Sequence, residues 1–427
     1  MLSLLRSFRK SRAGPVPAAS VQVSLAVGSA AERRPQPGLI RLDLTVASDA
    51  ELEDARLMIR REGEAVFTKA LRLSPTPSHF WLALHGQLLA DGPVTLTLEM
   101  ADARGAVLAQ RPITLQVVNR GPVAAQVADS LRRSGAPLVL DGVCDSAVYP
   151  YDDAEATPWF DRPVADGLAE IARREAAGEV SAEEADALRS FVRDGFLMME
   201  GVVDADHLAR LNAAVDAAVA AGHEGYEWGS SQRMHGLHEI YPAIRELWAH
   251  PKVLRMLSLI YGVPALPYQS LTYVFGSQQE YHQDTIHLTP FPAGCMNGVW
   301  TALEDVQPDS GELVVYSGTH RLPRVYAGTV GAAKVTDGDF NDLSARLQPA
   351  WTRLLDGLQP PRVVYRPKAG SVLIWHENLM HGGSPRVDLS KSRRSVVCHY
   401  FAEGAVVYHD SLGVPGTLPL PEVPEQA

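Results

Sequence analysis

The sequence predicts a mostly β protein with flanking helices: a double-stranded β-helix (jelly roll) preceded by an immunoglobulin-like β-sandwich. Three observations carry this expectation. Apolar residues alternate with period two over residues 20–118, and helical periodicity replaces that pattern up to Tyr261. Strand patterns then return from Pro264 with long connections and no βαβ alternation, which points to an antiparallel double sheet.

The first region reads as about seven short strands. Alternating stretches begin at Val21–Leu25, Leu39–Val46, Ala55–Arg60 and Val66–Leu71, and continue at His79–Leu84, Val94–Met100 and Ala106–Val118. Glu62-Gly63, Pro75-Thr76-Pro77 and Asp102-Ala103-Arg104-Gly105 supply the turns. No cysteine lies in this segment, so the disulfide of antibody domains is absent. A structural or partner-binding module, with possible polymer binding, is the expectation for residues 20–118. Residues 1–19 read as a disordered or basic tail. Asn119-Arg120-Gly121-Pro122 marks a boundary, and residues 119–162 read as a connecting helix and an aromatic strap.

Residues 163–427 form the predicted jelly-roll unit. Ser181-Ala182-Glu183-Glu184 is a capping box that opens a helix ending at Gly195. Asp204 caps a long amphipathic helix over Ala205–Ala221. Later strands fall at Ser270–Phe275, Gly298–Leu303, Leu313–Tyr316, Arg362–Tyr365, Ser371–Trp375 and Ser395–Phe401. The helical pattern over Asp339–Leu358 is placed to cover the mouth of the roll.

Composition excludes several functions. A net charge of −11 over 427 residues argues against a phosphate-binding surface, hence against nucleic acid. Cys144, Cys295 and Cys398 are too scattered for a disulfide framework or a cysteine zinc site, which fits a cytoplasmic setting. No apolar run approaches the roughly 18 residues that span a bilayer.

The chemistry gathers around Ser277–His287. On an extended strand, His282 and Asp284 of His282-Gln283-Asp284 share one face, and an imidazole beside a carboxylate makes two thirds of a facial triad for non-haem Fe(II). His376-Glu377-Asn378-Leu379-Met380-His381 is one residue too long for the i, i+4 histidines of a zinc-protease helix.

From Phe191 to Phe401 the chain resembles the phytanoyl-CoA dioxygenase-like family of Fe(II)/2-oxoglutarate-dependent oxygenases. Gly195-Phe196-Leu197, His282-Gln283-Asp284 and Val299–Asp305 carry the resemblance, followed by Ser310–His320, Lys368–Ser371, Met380–Ser384 and Arg393–Tyr400. Lys368–Ser371 and Met380–Ser384 together form one distal histidine motif, and the order and spacing of the six motifs are more specific than any one of them. The resemblance implies His282, Asp284 and His381 as catalytic iron ligands, with 2-oxoglutarate and O2 taking the three open positions. The far carboxylate of 2-oxoglutarate requires an arginine, Arg393 or Arg394. Counting back from Cys398-His399-Tyr400 aligns the family's arginine with Arg393, although the loop after His381 is one residue longer than in the family. Trp300 matches a tryptophan lining the cofactor pocket. Gln269 and Tyr273 share a strand face and either bond 2-oxoglutarate or substrate, or are ordinary satisfied core residues. Ser384 is a further candidate for the 2-oxoglutarate carboxylate, with the extra Gly383 shifting its register.

Related halogenases lack the carboxylate, so Asp284 favours hydroxylation. The expected reaction is oxidation of a C–H bond in a small organic, lipid or saccharide-linked substrate, with release of succinate and CO2. The rival is a catalytically silent jelly roll used for binding.

Overall fold

The computed structural model describes residues 21–418. The expected basic tail, residues 1–19, lies outside the described residues. The chain divides into two compact units. One comprises the chain to Val27, Leu44–Phe80 and Leu96–Ile113; the other comprises Gly28–Asp43, Trp81–Thr95 and Thr114 onward.

The first unit contains an antiparallel hairpin of Leu52–Arg61 and Glu64–Leu73. Its two-residue turn, Glu62-Gly63, has positive φ at both positions (53° and 89°), the conformation that matches strand twist in a tight hairpin. Every strand expected between residues 20 and 118 is present, each within a few residues of its expected limits.

In the second unit, Val139–Asp141 pairs antiparallel with Leu82–Leu84, so a piece of the expected strap is a strand. The rest of the strap is tied down by its aromatics. Tyr149 stacks on Tyr408, and the Tyr151 hydroxyl donates to the Pro290 carbonyl at 2.9 Å. The capping box forms as read: Ser181 accepts from the Glu184 amide and Glu184 accepts from the Ser181 amide, while Gly195 ends the helix at φ 82°. A Cβ on Gly195 would lie 2.4 Å from His320 Nδ1, so glycine is required there both by conformation and by space.

Two facing sheets make the roll. The larger has the order Phe196–Met199, Val372–His376, Met296–Ala302, Ser395–Ala402, Ala265–Tyr273 and Met234–His235. Its central strands are buried along their whole length, which is why Met296–Ala302 lacks a polar face. The smaller sheet runs Arg362–Tyr365, Leu313–Tyr316 and His381–Gly383.

Val406–His409, Val414–Pro415 and Thr289–Phe291 form a further small sheet that the sequence reading did not anticipate. Asn341–Leu358 is helical as expected. Leu343, Leu347, Trp351 and Leu355, spaced by four, pack in one cluster with Ile286, Val325 and Met380.

Candidate active site

The cavity between the two sheets measures about 570 Å³, and its wall includes His282, Asp284, His381, Arg393, Trp300 and Tyr273. Ser277–His287 is not the continuous strand expected from its pattern. His282 makes an isolated bridge with His381, each amide donating to the other's carbonyl (2.9 and 3.1 Å), and Asp284–Ile286 turns into a short 3₁₀ helix. Gln283, between the bridge and the 3₁₀ turn, has extended geometry, at φ −105° and ψ 134°. That one residue suffices to send His282 and Asp284 to one side and Gln283 to the other. There Gln283 Oε1 accepts from Trp351 Nε1 (3.0 Å) and anchors the covering helix.

The three donors converge. His282 Nε2 and His381 Nε2 lie 3.5 and 3.7 Å from Asp284 Oδ1, and all three ligand atoms fall within 4.8 Å of one another. Metal–ligand bonds of about 2.1 Å would set neighbouring donors of an octahedral face roughly 3 Å apart, so a small inward movement closes the set.

Each Nδ1 is already engaged, His282 with the Glu280 carbonyl (2.8 Å) and His381 with the Leu379 carbonyl (2.9 Å). These bonds fix the tautomer in which Nε2 offers its lone pair. Burial pushes His381 down to about 4 and so keeps its imidazole neutral. Burial opposes ionisation of Asp284, but the surrounding imidazoles, His381 first, hold its carboxyl well below the usual range.

Two side chains that sequence reasoning missed complete this end of the cavity. Trp375 Nε1–H donates to Asp284 Oδ2 at 2.8 Å, which leaves Oδ1 facing His282 and His381. Gly298 pairs with Trp375 across the strands, and a Cβ there would come within 2.2 Å of the indole. His399, read from sequence as a simple strand residue, places Nε2 3.5 Å from the same Oδ2, while its Nδ1 meets Gln269 Nε2 at 3.1 Å. A signal for His399 existed: Arg393, Ser395, Val397 and His399 alternate, so an inward Arg393 implies an inward His399. Trp375 had none, because its partner glycine is known only once the register is known.

At the other end, Arg393 is buried (2% exposed) and Arg394 is not. Arg394 pairs with Asp216 at 2.7 Å on the far side of the sheet. Arg393 reaches only neutral partners, the Gly311 carbonyl (3.1 Å) and the Ser395 hydroxyl (3.4 Å), and its Nε has none. Its guanidinium lies over Tyr273 and Trp300, at 5.6 and 5.4 Å from the ring centroids. Burial lowers it to about 10, so it stays charged at neutral pH. A buried cation without a carboxylate is an unfinished arrangement, and the Trp300 indole N–H beside it also lacks a partner.

Gln269, Tyr273 and Trp300 therefore line the cavity as expected by face. Ser384 does not. It lies outside the cavity wall, and its hydroxyl accepts from Arg362 at 3.4 Å. The physical reason is strand alternation: His381 faces the cavity, so Ser384, three residues on and still on the ladder, faces the other way.

These features define a class: a jelly roll whose cavity holds two histidines and an aspartate at one end and an unpaired arginine at the other. Three neutral-N and carboxylate-O donors suit Fe(II), and a doubly charged carboxylic acid would span from them to Arg393.

Residues 191–395 match the family model described as phytanoyl-CoA dioxygenase. Over this segment, a little under half of its length, the chain is similar to the phytanoyl-CoA dioxygenase-like family. It is 29% identical over 134 residues to the peroxisomal phytanoyl-CoA dioxygenase of Rattus norvegicus, covering 29% of this chain and 33% of that protein. It is 32% identical over 106 residues to phytanoyl-CoA dioxygenase domain-containing protein 1 of Danio rerio, covering 22% of this chain and 36% of that protein. The matched stretch thus spans about a third of those relatives.

Among solved structures, the non-haem α-ketoglutarate-dependent carbocyclase SnoK of nogalamycin biosynthesis is 20% identical, with a TM-score of 0.44. That likeness covers 58% of this chain and 96% of that one. EctD from S. alaskensis, solved with 2-oxoglutarate and 5-hydroxyectoine, is 20% identical with a TM-score of 0.40, covering 52% and 76%. Among the described residues no helix is long and apolar enough to cross a membrane.

Proposed function

We propose that the protein is an Fe(II)- and 2-oxoglutarate-dependent oxygenase that hydroxylates an unactivated C–H bond of a small organic, lipid or saccharide-linked substrate. The observation that carries this reading is the pairing of two incomplete ends in one cavity. At one end the ligand atoms of His282, Asp284 and His381 lie within 4.8 Å of one another, and at the other the buried Arg393 has no carboxylate partner among the described residues. His282 and His381 would bind iron through Nε2 and Asp284 through Oδ1. Arg393 would hold the far carboxylate of 2-oxoglutarate, with Trp300, Tyr273 and Gln269 along its length.

Iron, once loaded with 2-oxoglutarate and O2, supplies the oxidation, which converts 2-oxoglutarate to succinate and CO2. The chain contributes the rest. The carbonyls of Glu280 and Leu379 orient the ligand imidazoles, and Trp375 restricts Asp284 to one oxygen. Leu271, Leu313 and Val397 keep the wall apolar between the two charged ends.

The test is equilibrium binding of Fe(II) under anaerobic conditions. One ion should bind per chain, and Asp284→Ala should abolish it. Unchanged binding in that variant would remove the site. A silent binding protein would need an occluded pocket, and a cavity of about 570 Å³ counts against it.

We further propose that residues 20–118 form an immunoglobulin-like sandwich, with residues 119–162 as strap and residues 163–427 as the oxygenase unit. A five-stranded sheet within residues 20–118, and three of the four strands of a second sheet, support the sandwich. A role for it in holding large or tethered substrates predicts faster turnover of the tethered form; equal turnover of free and tethered forms would contradict that role.

A further inference from the structure

We infer that the substrate carries one negative charge, in the form of a carboxylate, and that Arg233 receives it at the outer side of the catalytic cavity. The inference rests on the iron and 2-oxoglutarate reading above and adds the substrate's chemical class to it.

The edge strand Met234–His235 pairs antiparallel with Leu271–Thr272, and continuing that register sets Arg233 opposite Tyr273 at the rim of the sheet. Tyr273 is the residue whose ring faces Arg393. Arg233 is therefore in the cavity wall, on the solvent side of the cofactor arginine. Arg233 and His287 line the same cavity.

Arg233 makes no hydrogen bond or ion pair among the described residues, and its neighbours in the wall are already engaged. His235 Nδ1 meets Glu224 at 3.0 Å, and that carboxylate also accepts from the His235 amide. His409 is bonded to Tyr268 and to the His287 carbonyl, and His287 to Ser411.

Charge balance then favours an anion. Arg233 and Arg393 are the arginines of the cavity wall and Asp284 is its carboxylate, while the Glu224 carboxylate of the adjoining void is already taken by the His235 amide and ring. Divalent iron and doubly charged 2-oxoglutarate cancel one another, and Asp284 offsets one arginine. With the imidazoles uncharged, a single positive charge remains, and Arg233 carries it outside the space that 2-oxoglutarate would fill. A monoanion completes the balance, and a guanidinium receives a carboxylate through two parallel N–H bonds.

The space suits such a molecule. Leu271, Leu288 and Val397 offer an apolar wall near the metal end for the carbon skeleton. A second void of about 580 Å³ adjoins the first through Arg233, Tyr273, Ser277 and Gln279 and gives the charged end access to water. An aliphatic monocarboxylate, with its reacting carbon inward and its acid at Arg233, fits both halves.

The experiment uses the full chain loaded anaerobically with Fe(II) and 2-oxoglutarate, and follows the iron-to-2-oxoglutarate charge-transfer band. Butanoate, hexanoate and octanoate are titrated beside their primary amides and beside hexyl phosphate. The expected result is a saturable change in the band with at least one carboxylate, with its amide about tenfold weaker or worse. Arg233→Gln should erase the preference for acid over amide while the band itself persists, and Arg233→Lys should restore part of it.

The inference is overturned if acid and amide bind alike, if hexyl phosphate alone perturbs the band, if no probe does, or if Arg233→Gln keeps the preference. Absence of the band in the unsubstituted protein is a different failure, that of the iron reading itself.

Discussion

Two buried clusters of histidine and carboxylate stand a few residues apart on the chain, and they have opposite characters. In one, His376 bridges Asp161 (3.2 Å) and Glu377 (2.9 Å), and Arg324 spans the same two carboxylates at 3.3 and 2.8 Å. Two cations meet two anions, so the cluster is closed, and it joins the strap to the roll.

In the other, His381 and its companions surround a single carboxylate, and the nearest buried arginine has no carboxylate. The electrostatic consequences diverge accordingly. His376 is pushed up to about 9, whereas His381 is pushed down to about 4. Burial alone does not distinguish a staple from a site, because both clusters are buried. Unused capacity for a cation and for an anion does.

The comparison can be broken most severely at Asp284. Asp284→Ala should weaken Fe(II) binding by more than about 100-fold, beyond the effect of removing a merely supporting residue. Glu377→Gln, in the closed cluster, should leave Fe(II) affinity within a few-fold, as read by the same titration. Arg393→Gln comes next. It should weaken 2-oxoglutarate binding by roughly 100-fold while Fe(II) affinity holds, since two charge-assisted bonds are lost at the far end only. Coupled loss of both affinities would refute the separation of the two ends.

Trp375→Phe keeps an aromatic ring beside His381 and deletes the N–H to Asp284 Oδ2. A loss of about tenfold in Fe(II) affinity is expected, with a changed Co(II) absorption spectrum as the carboxylate gains freedom to bind through both oxygens. A lowered melting temperature with unaltered metal affinity would reduce Trp375 to packing. Gly298→Ala should act in the same direction by displacing the indole.

The smallest effect is on stability. Burial lowers the His376 pKa, but Asp161 and Glu377 raise it by more, from 6.5 to about 9. A group raised on folding adds stability that is complete below its unfolded pKa and is lost as pH rises through its folded one. Melting temperature should therefore fall between about pH 6.5 and 9, and His376→Asn should flatten that slope.

Much of this was legible from residue patterns. The capping box at Ser181, the helix over Asn341–Leu358 and most strands follow local rules, and the structure places them within a few residues of expectation. His282, Asp284, His381 and Arg393 converge because motif order fixed their places in the roll. The backbone of Ser277–His287 was misread, since the i, i+2 relation needs only one extended residue, Gln283, and not a strand.

Ser384 faces away from the cavity because it stands an odd number of residues beyond the inward His381 on the same ladder. Trp375 and Arg233 stayed hidden for another reason. Their roles depend on cross-strand neighbours, Gly298 and Tyr273, which no local pattern discloses.

The central claim is that one cavity joins a metal site to a carboxylate anchor through 2-oxoglutarate. Its most direct test is the visible spectrum of the anaerobic protein with Fe(II), recorded before and after 2-oxoglutarate is added. The account predicts a charge-transfer band that appears only with both present, that is absent in Asp284→Ala, and that needs roughly 100-fold more 2-oxoglutarate in Arg393→Gln. A colourless mixture, or a band indifferent to both substitutions, would contradict it.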